Sequence, residues 1–458
     1  MLESRLKLYK YPVFFVFLSF WAGLYASQWG LYAVIGFFFM ALLLRYVFGH
    51  DFLYTFVFFV AGFLYGDQKV WTEKYEGRIA VTATVQRRGV IKVDSVIGGD
   101  VRILGKKIRI KGLSGFERGD VVKTLMYVKR VKNVLYGEPI KIKKTGIKKG
   151  FPYSVNRYLK EKIEELSDKK DIRGFLLGVL LGYRDFISKD LMENFKKTGT
   201  MHILALSGLH VGILMALIYL LFIPLTGHRN RAFLISAVLT FLYMVIVGTA
   251  PSILRAYIVF VVIMLSRMLK RRTSIYNAIG IAGLFSLLIW PTWAFSYSFI
   301  LSYLALVGVL YYNSVLSVKN RYLSILFASI GAVLFTLPIT SYFAGYVPVL
   351  GFIFNLVVIP FFSVLMWILA GSLLFYLIVP FALPLIMFVV NTSGRMFLGI
   401  ISIFSSISPL IRVRMHAPAD IVFYYLVILS LPVIITVLKE KIKARSILIT
   451  KEVSDESS

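Results

Sequence analysis

The chain has 458 residues, 58% of them hydrophobic and 16% charged, with a mean hydropathy of +0.77 and a formal net charge of +29. So much apolar surface cannot be hidden from water in a soluble fold of this size, which excludes an ordinary globular enzyme and points to a membrane protein. The lack of cysteine excludes disulfides, cysteine-bound metal and a thiol nucleophile, and the five histidines show no metal-site spacing.

Three apolar runs come first, at about 11–27, 29–48 and 52–66; the first two are near the length that crosses ~30 Å of hydrocarbon, and the third is short, tilted or incompletely spanning. The first has no small-residue cleavage site and is read as a retained span rather than a signal peptide. From Asp67 to Gly150 the chain becomes polar, β-branched and broken by glycine, which predicts about five short strands and a small barrel of the OB type. This stretch carries 21 Lys+Arg against 8 Asp+Glu. Arg87, Arg88, Lys106, Lys107, Arg109, Lys111, Lys129 and Arg130 are its candidate contacts to a polyanion, which a basic groove attracts by releasing counterions. The same lysines could equally rest on anionic lipid headgroups. Residues 151–199 read as amphipathic helices at the membrane surface.

A second apolar block predicts spans near 203–223, 231–248, 252–269, 275–290, 295–312, 322–337, 361–378, 385–404 and 419–437, giving about twelve in all. The stretch 345–360, broken by Pro348, Gly351 and Pro360, is expected to be re-entrant or discontinuous. Clusters such as Lys270, Arg271 and Arg272 fall on one side if spans alternate, which places both termini in the cytoplasm and the β domain outside.

Polar residues at membrane depth are costly and normally face a protein interior or a wet path. Ser207 and His210 are three apart, on one face of a continuous helix; they could form a nucleophile–base pair, or the serine could simply allow close helix packing. Arg255 could snorkel to the interface or guide phosphates, and Asn355 could meet a substrate or mend a helix break. These four are the channel-lining candidates. No GxxxxGK[ST] is present, so no P-loop ATPase is encoded.

The run TGTMHILALSGLHVGIL resembles the signature of the ComEC-type competence family of DNA-uptake channels. GTAPSILRAYIV, WAFSYSFILSYLALVGVL and TLPITSYFAGYVPVLGFIFNLVVIPFFSVL resemble further family segments in the family's order, although Tyr297–Ile300 depart from the usual pattern. The residues divide the chain into a polytopic α-helical membrane protein with an inserted β domain: N-terminal helices 1–66, an extracytoplasmic β domain 67–150, surface helices 151–199, a membrane core 200–438 and a cytoplasmic tail 439–458; the resemblance implies that the core is a channel and the β domain an OB-like barrel outside. It further implies passage of single-stranded DNA through the inner membrane during transformation, with a separate DNA receptor and a cytoplasmic helicase-like motor as partners, besides membrane lipids, and either a separate nuclease or none. Many members add a C-terminal metallo-β-lactamase-like domain. None follows residue 438 here, so neither an in-chain nuclease nor a metal or other cofactor is expected. An intramembrane serine hydrolase using Ser207 and His210, or a lipid or small-solute transporter, are the alternatives.

Overall fold

The computed structural model describes residues 12–26 and 53–66. It also describes 76–411, apart from 88–89, 99–106, 111–115, 117, 132–133, 149, 205, 272 and 317–319, and then 424–425, 427–428 and 430. The predicted spans at 29–48 and, for the most part, 419–437, and the tail 439–458, lie outside the described residues.

Strands β1 (Glu76–Arg87), β2 (Val90–Gly98), β3 (Lys107–Ile110), β4 (Asp120–Val131) and β5 (Val134–Ile147) close into a barrel in the order β1-β2-β3-β5-β4. Every pairing is antiparallel except β3 with β5. Alternation explains the closure: Ile79, Val81, Ala83 and Val85 of β1 point inward, to meet Ile91, Val93, Ile108, Val122, Met126 and Val128. Lysines occupy many of the alternate, outward positions.

Thirteen helices are found among the described residues. α1 (Pro12–Ala26) and α2 (Leu53–Gly66) precede the barrel. After it come α3 (Tyr153–Glu165), α4 (Lys170–Leu176) with a π-helical turn Leu177–Leu181, and α5 (Lys189–Lys197). Then follow α6 (Gly208–Thr226), α7 (Arg229–Val247), α8 (Pro251–Met268), α9 (Ile275–Ile289), α10 (Tyr297–Leu316), α11 (Arg321–Ala344), α12 (Gly351–Ile378) and α13 (Leu383–Ile407). Two-residue strands β6 (Val347–Pro348) and β7 (Leu410–Ile411) pair beside the last two helices. Six of these helices, α6, α7, α8, α11, α12 and α13, are long and apolar enough to cross a membrane, and α1, α9 and α10 are shorter apolar helices. Leu220, Leu225, Val238 and Phe241 project outward, a surface suited to hydrocarbon. The chain is a helical membrane protein with an inserted β domain.

Three expectations change. The segment 151–199 keeps a charged outer face but does not merely lie on the surface. Ile163, Leu166, Phe175, Leu176 and Phe195 are buried against Phe362, Leu365 and Leu369 of α12 and Val390, Phe397 and Ile401 of α13. The stretch 345–360 is broken only at its start. α12 runs unbroken through Pro360, which lies on an exposed face of a helix apolar enough to span, where hydrocarbon would offer no water to compete for the backbone groups that proline releases. The span expected from residue 203 begins at Gly208, because the preceding residues form a turn at Gly199 (φ +71°), packed against Pro348 and Gly351.

Candidate functional site

The barrel is fastened to the bundle by a clasp built from the turn before β4. Arg118 donates to the carbonyls of Val245 (2.9 Å) and Ile246 at the C-terminal end of α7, where the helix leaves acceptors unpaired and partly negative. Asn156 of α3 donates to the same Ile246 carbonyl (3.1 Å) and accepts from the Tyr183 hydroxyl (2.6 Å). The Arg118 guanidinium stands 5.6 Å from the centre of the Tyr153 ring, and the Gln86 amide donates to the Tyr153 hydroxyl (3.0 Å). Gly119 has φ +90°, and a Cβ there would come within 2.9 Å of the Tyr153 ring, so only glycine fits. Next in the chain, Asp120 is fully buried and held by Lys144 (2.8 Å) and Arg157 (3.3 Å). Nothing in the composition of this FERGD turn marked it as a joint.

Near this joint, helix starts gather. Ser207 is the N-cap of α6 rather than a mid-helix residue, so it and His210 meet as a cap pair, not as one face of a continuous helix. The Ser207 N–H donates to His210 Nδ1 (3.2 Å), and the Ser207 hydroxyl lies 2.8 Å from the same nitrogen. Since Nδ1 accepts, the neutral ring carries its proton on Nε2, which is buried without a hydrogen-bond partner among the described residues. The ring packs against Phe362 of α12 at 5.1 Å. Arg184 holds the preceding turn by donating Nε–H to the Leu204 carbonyl (2.9 Å), and Ser252 at the start of α8 donates to that of Leu206 (3.4 Å). Arg255 does not reach for an interface. It turns into the α8–α10 contact, donating to the Ser302 carbonyl (2.6 Å), 5.4 Å from the Tyr303 ring centre. A Cβ on Gly208 would lie 3.6 Å from its Nη2. Asn355 stands apart on α12, nine-tenths buried, with Oδ1 unpartnered among the described residues. Ser207, His210 and Arg255 thus come together and Asn355 does not join them, although all four lie within ~6 Å of rise of a helix start.

On the barrel, Lys107, Arg109 and Lys129 are exposed, and Lys129 pairs with Glu76 (3.4 Å). Tyr127 and Lys129 hold the Glu76 carboxyl below the usual carboxylate range. Arg87 and Arg130 sit on strand ends; Arg88, Lys106 and Lys111 lie outside the described residues. Register adds residues that spacing did not single out. Lys92 lies directly opposite Lys107, and Lys123 directly opposite Lys143, all four exposed. Like charges facing across a ladder destabilise it, so such pairs favour an anionic partner. Among the described residues no group of three His, Asp or Glu could hold a metal ion.

Comparison with known proteins gives a match to the model of the family described as Competence protein over residues 179–438, more than half of the chain. ComE operon protein 3 of Bacillus subtilis is 30% identical over 207 residues, 44% of this chain and 27% of that one. An uncharacterized protein of Aquifex aeolicus is 25% identical over 257 residues, covering 56% and 60%, and Recombination protein 2 of Haemophilus influenzae is 25% identical over 258, covering 52% and 31%. The chain therefore spans from about a quarter to three fifths of the length of these relatives. No solved structure matches.

Proposed function

The chain belongs to the competence protein family, and from that premise we propose that it carries single-stranded DNA through the cytoplasmic membrane during DNA uptake. The observation that carries this reading is the clasp, which fixes a basic barrel beside a cluster of polar helix starts in an otherwise apolar bundle. A phosphate bared to hydrocarbon costs tens of kcal/mol on a Born estimate, so a strand needs polar groups at the mouth of its path. Ser207, His210, Arg255 and Asn355 are the lining residues in this proposal. The barrel's strand order is the one that supports an OB-like reading, with Lys92, Lys107 and Arg109 receiving the backbone.

The described helices, with 29–48 and 419–437 added, fit about twelve spans. In that arrangement the termini are cytoplasmic and the barrel lies outside, on the side where α7 ends. A separate receptor would deliver the strand, a cytoplasmic motor would draw it in, and a separate nuclease would remove its complement. The full chain in nanodiscs should bind oligonucleotides with an affinity that falls about tenfold or more between about 50 and 200 mM salt. K92A/K107A should flatten that dependence, and expression of the chain should restore transformation in a deletion strain. Salt-independent binding, or no restoration, would refute the proposal.

The Ser207–His210 distance favours a second reading, a hydrolase, since hydroxyl and imidazole at 2.8 Å match a nucleophile and its base. Against it, no described residue supplies at Nε2 the orienting partner such a base needs. Labelling of the intact chain by a fluorophosphonate, lost in S207A, would support this reading; no labelling would remove it.

A further inference from the structure

The outward faces of the barrel differ in chemistry. Around β2 and β3 the exposed cations Lys92, Lys107 and Arg109 gather. Along β4 and β5, Lys123 faces Lys143, and Lys141 faces the exposed Leu125. This second strip continues down β5 to Ile147 and Phe151, whose surfaces are 43% and 57% exposed. Its lower end is fixed in place. Ile147 pairs with Asp120, Asp120 binds Arg157 of α3, and Arg118 two residues earlier grips the end of α7. That helix carries the exposed Phe241 and Leu242 six and five residues before its end, an apolar surface suited to hydrocarbon on the helix that Arg118 grips. Tyr158 of α3, half exposed, stands on the segment that follows.

We infer that this β4–β5 strip, from Phe151 and Ile147 up to Lys123 and Lys143, is a seat for anionic phospholipid headgroups of the same membrane. The mixture fits an interface: Phe151 and Ile147 supply apolar and aromatic surface near the bundle, and lysines beside and beyond them, Lys123, Lys141 and Lys143 among them, reach for phosphates, with exposed Leu125 between. Two opposed lysines repel each other until a phosphate sits between them. A nucleic-acid backbone would satisfy the lysines but gain nothing from exposed isoleucine and leucine. The seat does not depend on DNA transport, since it requires only that the chain be in a membrane.

The chain has no cysteine, so single cysteines can be labelled without a cysteine-free background having to be made. A fluorophore at I147C, F151C or K143C in the full chain, in nanodiscs, would be quenched by a lipid bearing a spin label on its headgroup. L242C serves as the lipid-facing positive control and K92C as the negative one. Quenching is expected at 147 and 151 in all lipids. At 143 it should strengthen when phosphatidylglycerol is added, and K123E should reduce it, with each lysine changing seating about fivefold. An L242C label that is still quenched in the K123E background shows that the variant is folded. Absence of quenching at 147 and 151 while 242 is quenched would overturn the inference. So would a signal at 143 that ignores lipid charge but is protected by oligonucleotide.

Discussion

Replacing Arg118 with alanine should loosen the barrel without unfolding it. The side chain lies outside the barrel core formed by Ile79, Val81, Met126 and their neighbours, so that core stays intact. What is lost is two charge-assisted hydrogen bonds to Val245 and Ile246, each ~1.5–3 kcal/mol, a favourable charge at a helix C-terminus, ~0.3–1 kcal/mol, and the cation over Tyr153, ~0.5–1 kcal/mol. Asn156 still satisfies the Ile246 carbonyl, so the full sum does not apply. A net loss of about 2–4 kcal/mol remains, or about 30- to 1,000-fold in the docked-to-undocked ratio. Hydrogen exchange on the full chain in detergent should show faster exchange at residues 153–158 and at the end of α7, with the barrel strands unchanged. Lysine at 118, a point charge without the fork, should fall between. Unchanged exchange in R118A, or equal loosening of the strands, would refute the clasp.

Three other outcomes follow from the same geometry. D120N leaves Lys144 and Arg157 facing a neutral group and should cost about 2–4 kcal/mol, less than a wholly buried pair because both cations are partly in water; thermal unfolding measures it. G331A places a methyl group on the Gly308 carbonyl and should destabilise the α10–α11 pair by ~1–3 kcal/mol, while G308A/G331A should cost less than the sum of the single changes. Tyr376 first and Lys162 second hold the Glu165 carboxyl below its ordinary range. The stability it adds is therefore complete above the ordinary carboxylate pKa and is lost as pH falls through the depressed one; E165Q should flatten that part of a pH–melting profile.

Hydropathy alone located most of the helices to within a few residues, because a run near 20 apolar residues has few other uses. Alternation likewise exposed the barrel, since Ile79, Val81, Ala83 and Val85 have the period of a strand with one wet face. The site was less legible. Ser207, His210 and Arg255 stood out as polar residues in apolar runs, yet their partners, the Ser302 carbonyl and each other through a helix cap, depend on where a turn ends and which helices touch. Proline misled at 360, where composition suggested a break and the helix continues through it. Arg118 was hidden among many basic residues: its importance comes from a carbonyl 128 positions away. The lysine pairs 92–107 and 123–143 required the register, which spacing within one strand does not contain.

Two helix pairs meet backbone to backbone. Gly23 and Gly62 each abut the main chain of the other's helix at Phe59 and Phe20, and Gly308 and Gly331 abut each other. Seams with no room for a methyl group have none for a nucleotide, so a polymer cannot thread between α1 and α2 or between α10 and α11 at those crossings. In the proposed transport reading, a strand must therefore pass by helix contacts other than these two seams.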